Sequence, residues 1–98
     1  MRRWVLDREA EADLQAQIDH LLEQGAVDAA ERLAARLKSF LRDFLTTYPA
    51  TGAFLDHRGL WETWIPRTRL VLWYRFTDTE VQIARIWHVS QDRRSELP

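Results

Sequence analysis

His88 closes a run of strand-forming residues, and an imidazole is the side chain best suited to take and return a proton near neutrality. Arg69, Arg75, Arg85 and Arg93 stand around it in the sequence, with Glu62 as a carboxylate. A guanidinium offers a planar fork that binds phosphate at two points, so a base among arginines is a pattern for phosphate chemistry. Each residue also has an ordinary reading. A strand His donates hydrogen bonds or lines a partner interface. Arg85 anchors a helix to the sheet through a salt bridge, and Glu62 pairs with a neighbouring Arg such as Arg69. His20 and His57 have no partners at ligand spacing and the chain has no cysteine, so neither a metal nor another cofactor is expected.

The aromatic residues form a second group. Four of the five tryptophans (Trp61, Trp64, Trp73, Trp87) lie in the last forty positions. Their large apolar area suits a core or a partner interface, with base stacking as the alternative. The basic residues are thirteen Arg and only Lys38, a bias that a GC-rich genome would also produce. A net charge of −1 departs from the strongly basic balance of most nucleic-acid binders. The length of 98 residues suits one domain, 1–98. The apolar run after Arg2-Arg3 ends within three residues, too short for a signal-peptide core, and no stretch approaches a membrane span. A soluble cytoplasmic protein with no membrane partner is expected.

The elements that would position these residues follow from periodicity. Trp4-Val5-Leu6 predicts a first strand over 2–6. Asp7 is placed to cap a helix from Arg8 to Glu23, with Glu9 and Glu11 in its first turn and Gly25 as its stop. Its stripe is Ala10, Leu14, Ile18, Leu21 and Leu22. Asp28 and Glu31 have capping-box spacing for a second helix, whose stripe runs from Val27 to Tyr48 before Pro49 ends it. The short link makes the two helices an antiparallel hairpin. Residues 49–59 read as a loop. Strands are expected over 60–65, 69–76 and 81–89, with turns at Pro66-Arg67 and 77–80, and a disordered polar tail over 91–98. This is an α+β fold, β-α-α-β-β-β, with the helical hairpin on one face of an antiparallel sheet.

A two-residue turn at Asp78-Thr79 would pair Phe76 with Val81, Tyr74 with Ile83, Leu72 with Arg85 and Leu70 with Trp87 on the helix-facing side. Arg85 is the exception on that apolar face and requires a carboxylate or carbonyl nearby. The opposite face would then present Glu62, Trp64, Arg69, Trp73, Arg75, Gln82 and His88, both polar and aromatic. Of these, Glu62, Trp64, Trp73 and Gln82 are candidates for partner contact. A one-residue slip would exchange the faces.

Ala29-Ala-Glu-Arg-Leu33, Leu60-Trp61-Glu62, Arg69-Leu-Val-Leu-Trp-Tyr-Arg75 and the ending Ile83-Ala-Arg-Ile-Trp-His-Val-Ser-Gln-Asp-Arg93 together resemble the ParE/RelE superfamily of toxins from bacterial type II toxin–antitoxin systems. The resemblance spans nearly the whole chain in the right order. It implies a plasmid-stabilisation-type toxin that inhibits growth and is neutralised by a cognate antitoxin, whose extended or helical segment folds around it. It also implies one of two targets. ParE-type members inhibit DNA gyrase; RelE-type members cut mRNA on the ribosome with clustered cations and an acid/base pair. Here the interferase candidates would be Arg69, Arg75, Arg85, His88 and Arg93. The sheet has no lysine and no Tyr follows the last strand, which favours the ParE side. A toxin homologue without activity, kept as a binding module, is the third reading. Assembly as a homodimer or as a heterotetramer with the antitoxin is left open.

Overall fold

Alternating apolar residues in the second half of the chain build a sheet, and the two amphipathic helices cover one side of it. In the computed structural model, which describes residues 2–56 and 58–90, the elements are β1 (Arg3–Leu6), α1 (Arg8–Glu23), α2 (Val27–Phe40), β2 (Ala53–Leu55), β3 (Leu60–Trp64), β4 (Leu70–Phe76) and β5 (Glu80–His88). The strand order is β1-β5-β4-β3-β2. The last three strands pair antiparallel as the sequence predicts, whereas β1 joins parallel to β5, so the sheet is mixed. The expected tail over 91–98, with Arg93, and His57 lie outside the described residues.

The core lies between the helices and the sheet. Ala10 from α1 and Leu37 from α2 meet Leu70, Leu72 and Tyr74 of β4 and Val81, Ile83 and Ile86 of β5, all buried. Three local expectations change. Asp7 holds the N-cap position of α1 as predicted but makes no side-chain cap bond there, and Asp28 lies inside α2, which begins at Val27 after Ala26. Asp7 accepts instead from Arg75 Nη2 (3.1 Å), because β4 brings that guanidinium within reach. The stripe that predicts helix to Tyr48 is α-helical only to Phe40 and continues as a π turn over Leu41–Leu45. There the Thr46 N–H reaches the Leu41 carbonyl (3.2 Å) and Thr46 Oγ1 donates to the Arg42 carbonyl (2.9 Å). A hydroxyl bonded back to the preceding turn competes with the α-helical ladder. The wider turn keeps both Leu41 and Leu45 in the core, while Phe44 stacks on half-buried Phe40 and exposed Tyr48 on Phe44, at centroid distances of 5.3 and 5.5 Å.

The expected loop over 49–59 contains a 3-10 turn at Pro49–Thr51 and the short strand β2. β2 pairs Ala53 with Glu62 and Leu55 with Leu60, a contact too brief to leave an alternating pattern. Its approach depends on Gly52. The backbone there has φ −80°, open to any residue, so space is what excludes a side chain. A Cβ would collide with the Glu62 carbonyl oxygen and lie 2.7 Å from Tyr74 Oη. That phenol is buried and donates to the Pro49 carbonyl at 2.6 Å, tying the 3-10 turn to the centre of the sheet. No helix among the described residues is long and apolar enough to cross a membrane.

Two outcomes follow. Gly52→Ala should destabilise the fold by about 2 kcal/mol or more, the cost of overpacking against atoms that cannot retreat, read as a lower urea midpoint. Burial pushes the Tyr74 phenol up to about 12 from its ordinary value of 10.0. A raised pKa means the folded chain holds this proton more tightly than the unfolded one. The contribution is therefore complete below pH 10 and lost as pH rises toward 12, about 2–3 kcal/mol in all. Stability measured between pH 9 and 12 should show this loss, and Tyr74→Phe should remove its pH dependence.

Candidate functional site

The arrangement of the candidate residues is set by one irregularity in β5. Phe76 pairs with Val81, Arg75 with Gln82 and Tyr74 with Ile83, as the two-residue turn predicts. Ala84 is then passed over in a bulge, and Trp73 pairs with Arg85, Leu72 with Ile86, Val71 with Trp87 and Leu70 with His88. The expected pairs of Leu72 with Arg85 and Leu70 with Trp87 are thus shifted by one. The physical reason is packing: the bulge returns apolar Ile86 to the core side and takes Arg85 out of it. His88 moves to the helix side, while Trp87 and Arg85 join Val71, Trp73 and Arg75 on the other.

Arg85 does have the carboxylate its position demands. Its Nε and Nη2 donate to the two oxygens of Asp13, at 2.8 and 3.0 Å, and its guanidinium lies 4.2 Å from the centre of the Trp87 ring. Asp13 Oδ2 also accepts the Ile86 backbone N–H at 2.9 Å. β1 stops at the Leu6–Ile83 pair, so a side chain of α1 supplies the acceptor where the neighbouring strand has ended. Asp13 was not among the residues singled out from sequence. It lies off the apolar stripe of α1, and the signal for it in the sequence is the need of Arg85 for a carboxylate.

The structure divides the candidate catalytic groups that it describes between two cavities. His88 and Arg69 share a cavity of about 290 Å³ on the helix side, not on the opposite face that the sequence predicts for both, beside Gln17 and His20 of α1 and Gln24 just after it. The Ser90 N–H donates to His88 Nδ1 at 3.1 Å, which assigns the neutral ring's proton to Nε2. Arg75 and Arg85 line a separate cavity of about 410 Å³ with Arg58, Trp73, Asp7 and Glu9. There Arg75 Nη2 meets Asp7, Arg75 Nε donates to Gln82 Oε1 at 2.7 Å, and Arg58 lies over the Trp73 ring at 5.4 Å. Gln82 Nε2 donates to Glu80, which the bonds from Gln82 and then Arg3 hold below the usual carboxylate range.

The side of the sheet away from the helices is less open than the sequence suggests. Val71, Trp73 and Trp87 are buried there against Leu55, Leu60 and Val89. Trp73 Nε1 donates to Glu62 Oε2 at 2.7 Å, so two of the partner candidates hold each other. Trp64 differs, with 57% of its surface exposed. It stands beside Phe40, Phe44, Thr51, Thr63 and Pro66, which line a groove of about 430 Å³. Tyr48 (56%) and Phe44 (39%) add to this aromatic surface, which the stripe from Val27 to Tyr48 concealed because it read as continuous core.

Comparison with known proteins adds two findings. A family model described as "ParE toxin of type II toxin-antitoxin system, parDE" matches residues 5–93. A solved structure titled "Chromosomal ParDE TA system from P. aeruginosa" contains a chain 23% identical, aligned over 90% of this chain and 96% of that one with a TM-score of 0.66. At that identity the likeness shows the fold. No curated protein matches the sequence.

The Asp13 clasp predicts a measurable cost. Asp13→Ala leaves a half-buried guanidinium and the Ile86 N–H short of an acceptor. It should lower stability by about 2–3 kcal/mol, even after the roughly 0.5 kcal/mol that alanine gains in helix propensity. Asp13→Asn keeps one acceptor oxygen and should cost less; urea unfolding of the two variants checks the order.

Proposed function

Because this chain belongs to the ParE toxin family of type II toxin–antitoxin systems, we propose that it inhibits growth by binding a cellular protein, DNA gyrase by resemblance, and that a cognate antitoxin neutralises it. The observation that carries this reading is the division of the candidate catalytic groups. A ribonuclease needs its base and its cations around one scissile phosphate. Here His88 lies on the helix side of the sheet. Arg75 and Arg85 lie on the other, already engaged with Asp7, Gln82 and Asp13. Among the described candidates, Arg69 is the one that shares the His88 cavity. A protein that acts by binding needs none of these to converge. It needs accessible apolar area beside charge, which Trp64 and its aromatic neighbours supply. This reading places the chain in the cytoplasm, where its target and antitoxin are found.

Tightly controlled expression in a bacterial host tests it. Growth should stop, purified gyrase should lose supercoiling activity when this protein is added, and transcripts should remain intact. His88→Ala should inhibit growth as strongly as the unaltered chain, within about twofold, since removing a group outside the binding surface leaves affinity unchanged. Cuts inside codons of ribosome-bound mRNA, abolished by His88→Ala, would instead establish the interferase. Normal growth at full expression would establish an inactive homologue.

A further inference from the structure

The groove beside Trp64 is part of a larger surface that the described fold leaves incomplete. Two grooves, of about 480 and 430 Å³, meet at Phe40 and Pro66 and together follow α2 past the end of β3. The floor of one is aromatic, with Phe44 and Trp64 exposed by 39% and 57%. The rim of the other holds Arg36 and Arg67, with Arg36 Nη1 donating to the Arg67 carbonyl at 3.0 Å. Asp43 is the acid on that rim, and both its oxygens accept from Arg42, at 2.8 and 3.0 Å.

The backbone contributes as well. β2 pairs with β3 only as far as Glu62, so Thr63 and Trp64 continue along an edge that no strand among the described residues covers. The Ile65 N–H donates to Leu70 of β4 at 3.1 Å. Alternation along the strand therefore turns the Trp64 N–H and carbonyl the other way, toward the uncovered edge and the aromatic groove. An exposed edge beside apolar pockets and a basic rim fits strand addition, in which main-chain bonds give affinity and the pockets give specificity.

We infer that this groove receives an extended segment of the antitoxin, pairing with the β3 edge at Trp64, placing apolar side chains against Phe44 and Trp64, and setting a carboxylate against Arg36 and Arg67. The inference rests on the antitoxin partner proposed above and specifies where and by what chemistry it binds. The basic rim selects an acidic segment, and the free edge selects an extended one over a helix.

The test uses the full chain coexpressed with the protein encoded by the adjacent gene. In the complex, hydrogen exchange at the Trp64 amide should slow by at least about tenfold, because its N–H gains a partner. Trp64→Ala and Phe44→Ala should each weaken binding by roughly 30-fold, as central aromatic anchors do. Trp64 is 57% exposed, so Trp64→Ala should unfold at the midpoint of the unaltered chain; Phe44 stacks on Phe40 and Tyr48, so binding by Phe44→Ala is measured where urea unfolding shows that variant folded. Leu22→Ala, exposed on α1 near the link between the helices, should bind normally. A tight complex with unchanged exchange at Trp64, and full affinity in both aromatic variants, would overturn this site while leaving the toxin–antitoxin reading in place. Failure of the adjacent protein to bind at all would overturn both.

Discussion

The carboxylate of Asp13 is the point on which the arrangement turns. It sits in the middle of α1 and accepts three hydrogen bonds from β5: two from Arg85 and one from the Ile86 backbone. Without it, β5 beyond Ile83 would present an unpaired N–H to the underside of a helix, where water has little access. Surrounding contacts repeat the same link, since the Asp7 N–H donates to the Ile83 carbonyl at 2.9 Å just where β1 ends. α1 is therefore attached along β5 by polar bonds as well as by Ala10 and Leu14 in the core. An apolar contact alone would fix its distance from the sheet but leave it free to slide. Directional bonds to a strand's backbone fix its register.

That register decides what the sheet can offer. The bulge at Ala84 and the clasp at Arg85 are two parts of one solution. Passing over one residue returns Ile86 to the core and turns Arg85 toward Asp13 and the Trp87 ring. The consequence for chemistry is a separation, with His88 on one side of the sheet and Arg75 and Arg85 on the other. Arg75 forms part of an ordered polar row, Asp7, Arg75, Gln82, Glu80 and Arg3, each bonded to the next, while Arg85 is held by Asp13. Side chains held in such a row keep a fixed geometry, which suits them to shaping a surface more than to following a reacting group.

Much of this was legible in the sequence, and the parts that were not share a cause. Element order apart from β2, the two-residue turn at Asp78-Thr79 and the placing of Glu62 and Trp73 on one face follow from alternation, because a strand with one buried side has a strict rhythm. The bulge breaks that rhythm. Val81 and Ile83 set one phase, Ile86 the other, and the apparent misfit of Arg85 on an apolar face was its trace. β2 is too short for any rhythm, and its presence depends on the close approach at Gly52, a fact about distant atoms. The π turn was hidden for the opposite reason. An unbroken apolar stripe over Val27–Tyr48 reads as one buried face, yet widening a single turn divides it into core leucines and exposed aromatics.

The exposed aromatics bear on why a partner and this fold belong together. A chain of 98 residues buries a modest share of its surface, so apolar area left in water is a sizeable forfeited contribution. Trp64, Tyr48 and Phe54 are each at least half exposed, and Trp64 lies on a strand edge that β2 covers only in part. A stable monomer under selection for stability alone would bury such residues or replace them. A protein that spends its life bound gains the same stabilisation from the partner. A ligand present at a thousand times its dissociation constant adds about 4 kcal/mol to the folded state, which exceeds what most single core contacts supply. On the toxin reading this linkage runs in both directions. The surface that makes the free chain less stable is also the surface that binds its inhibitor, so loss of the antitoxin would release a protein that is at once active and easier to unfold.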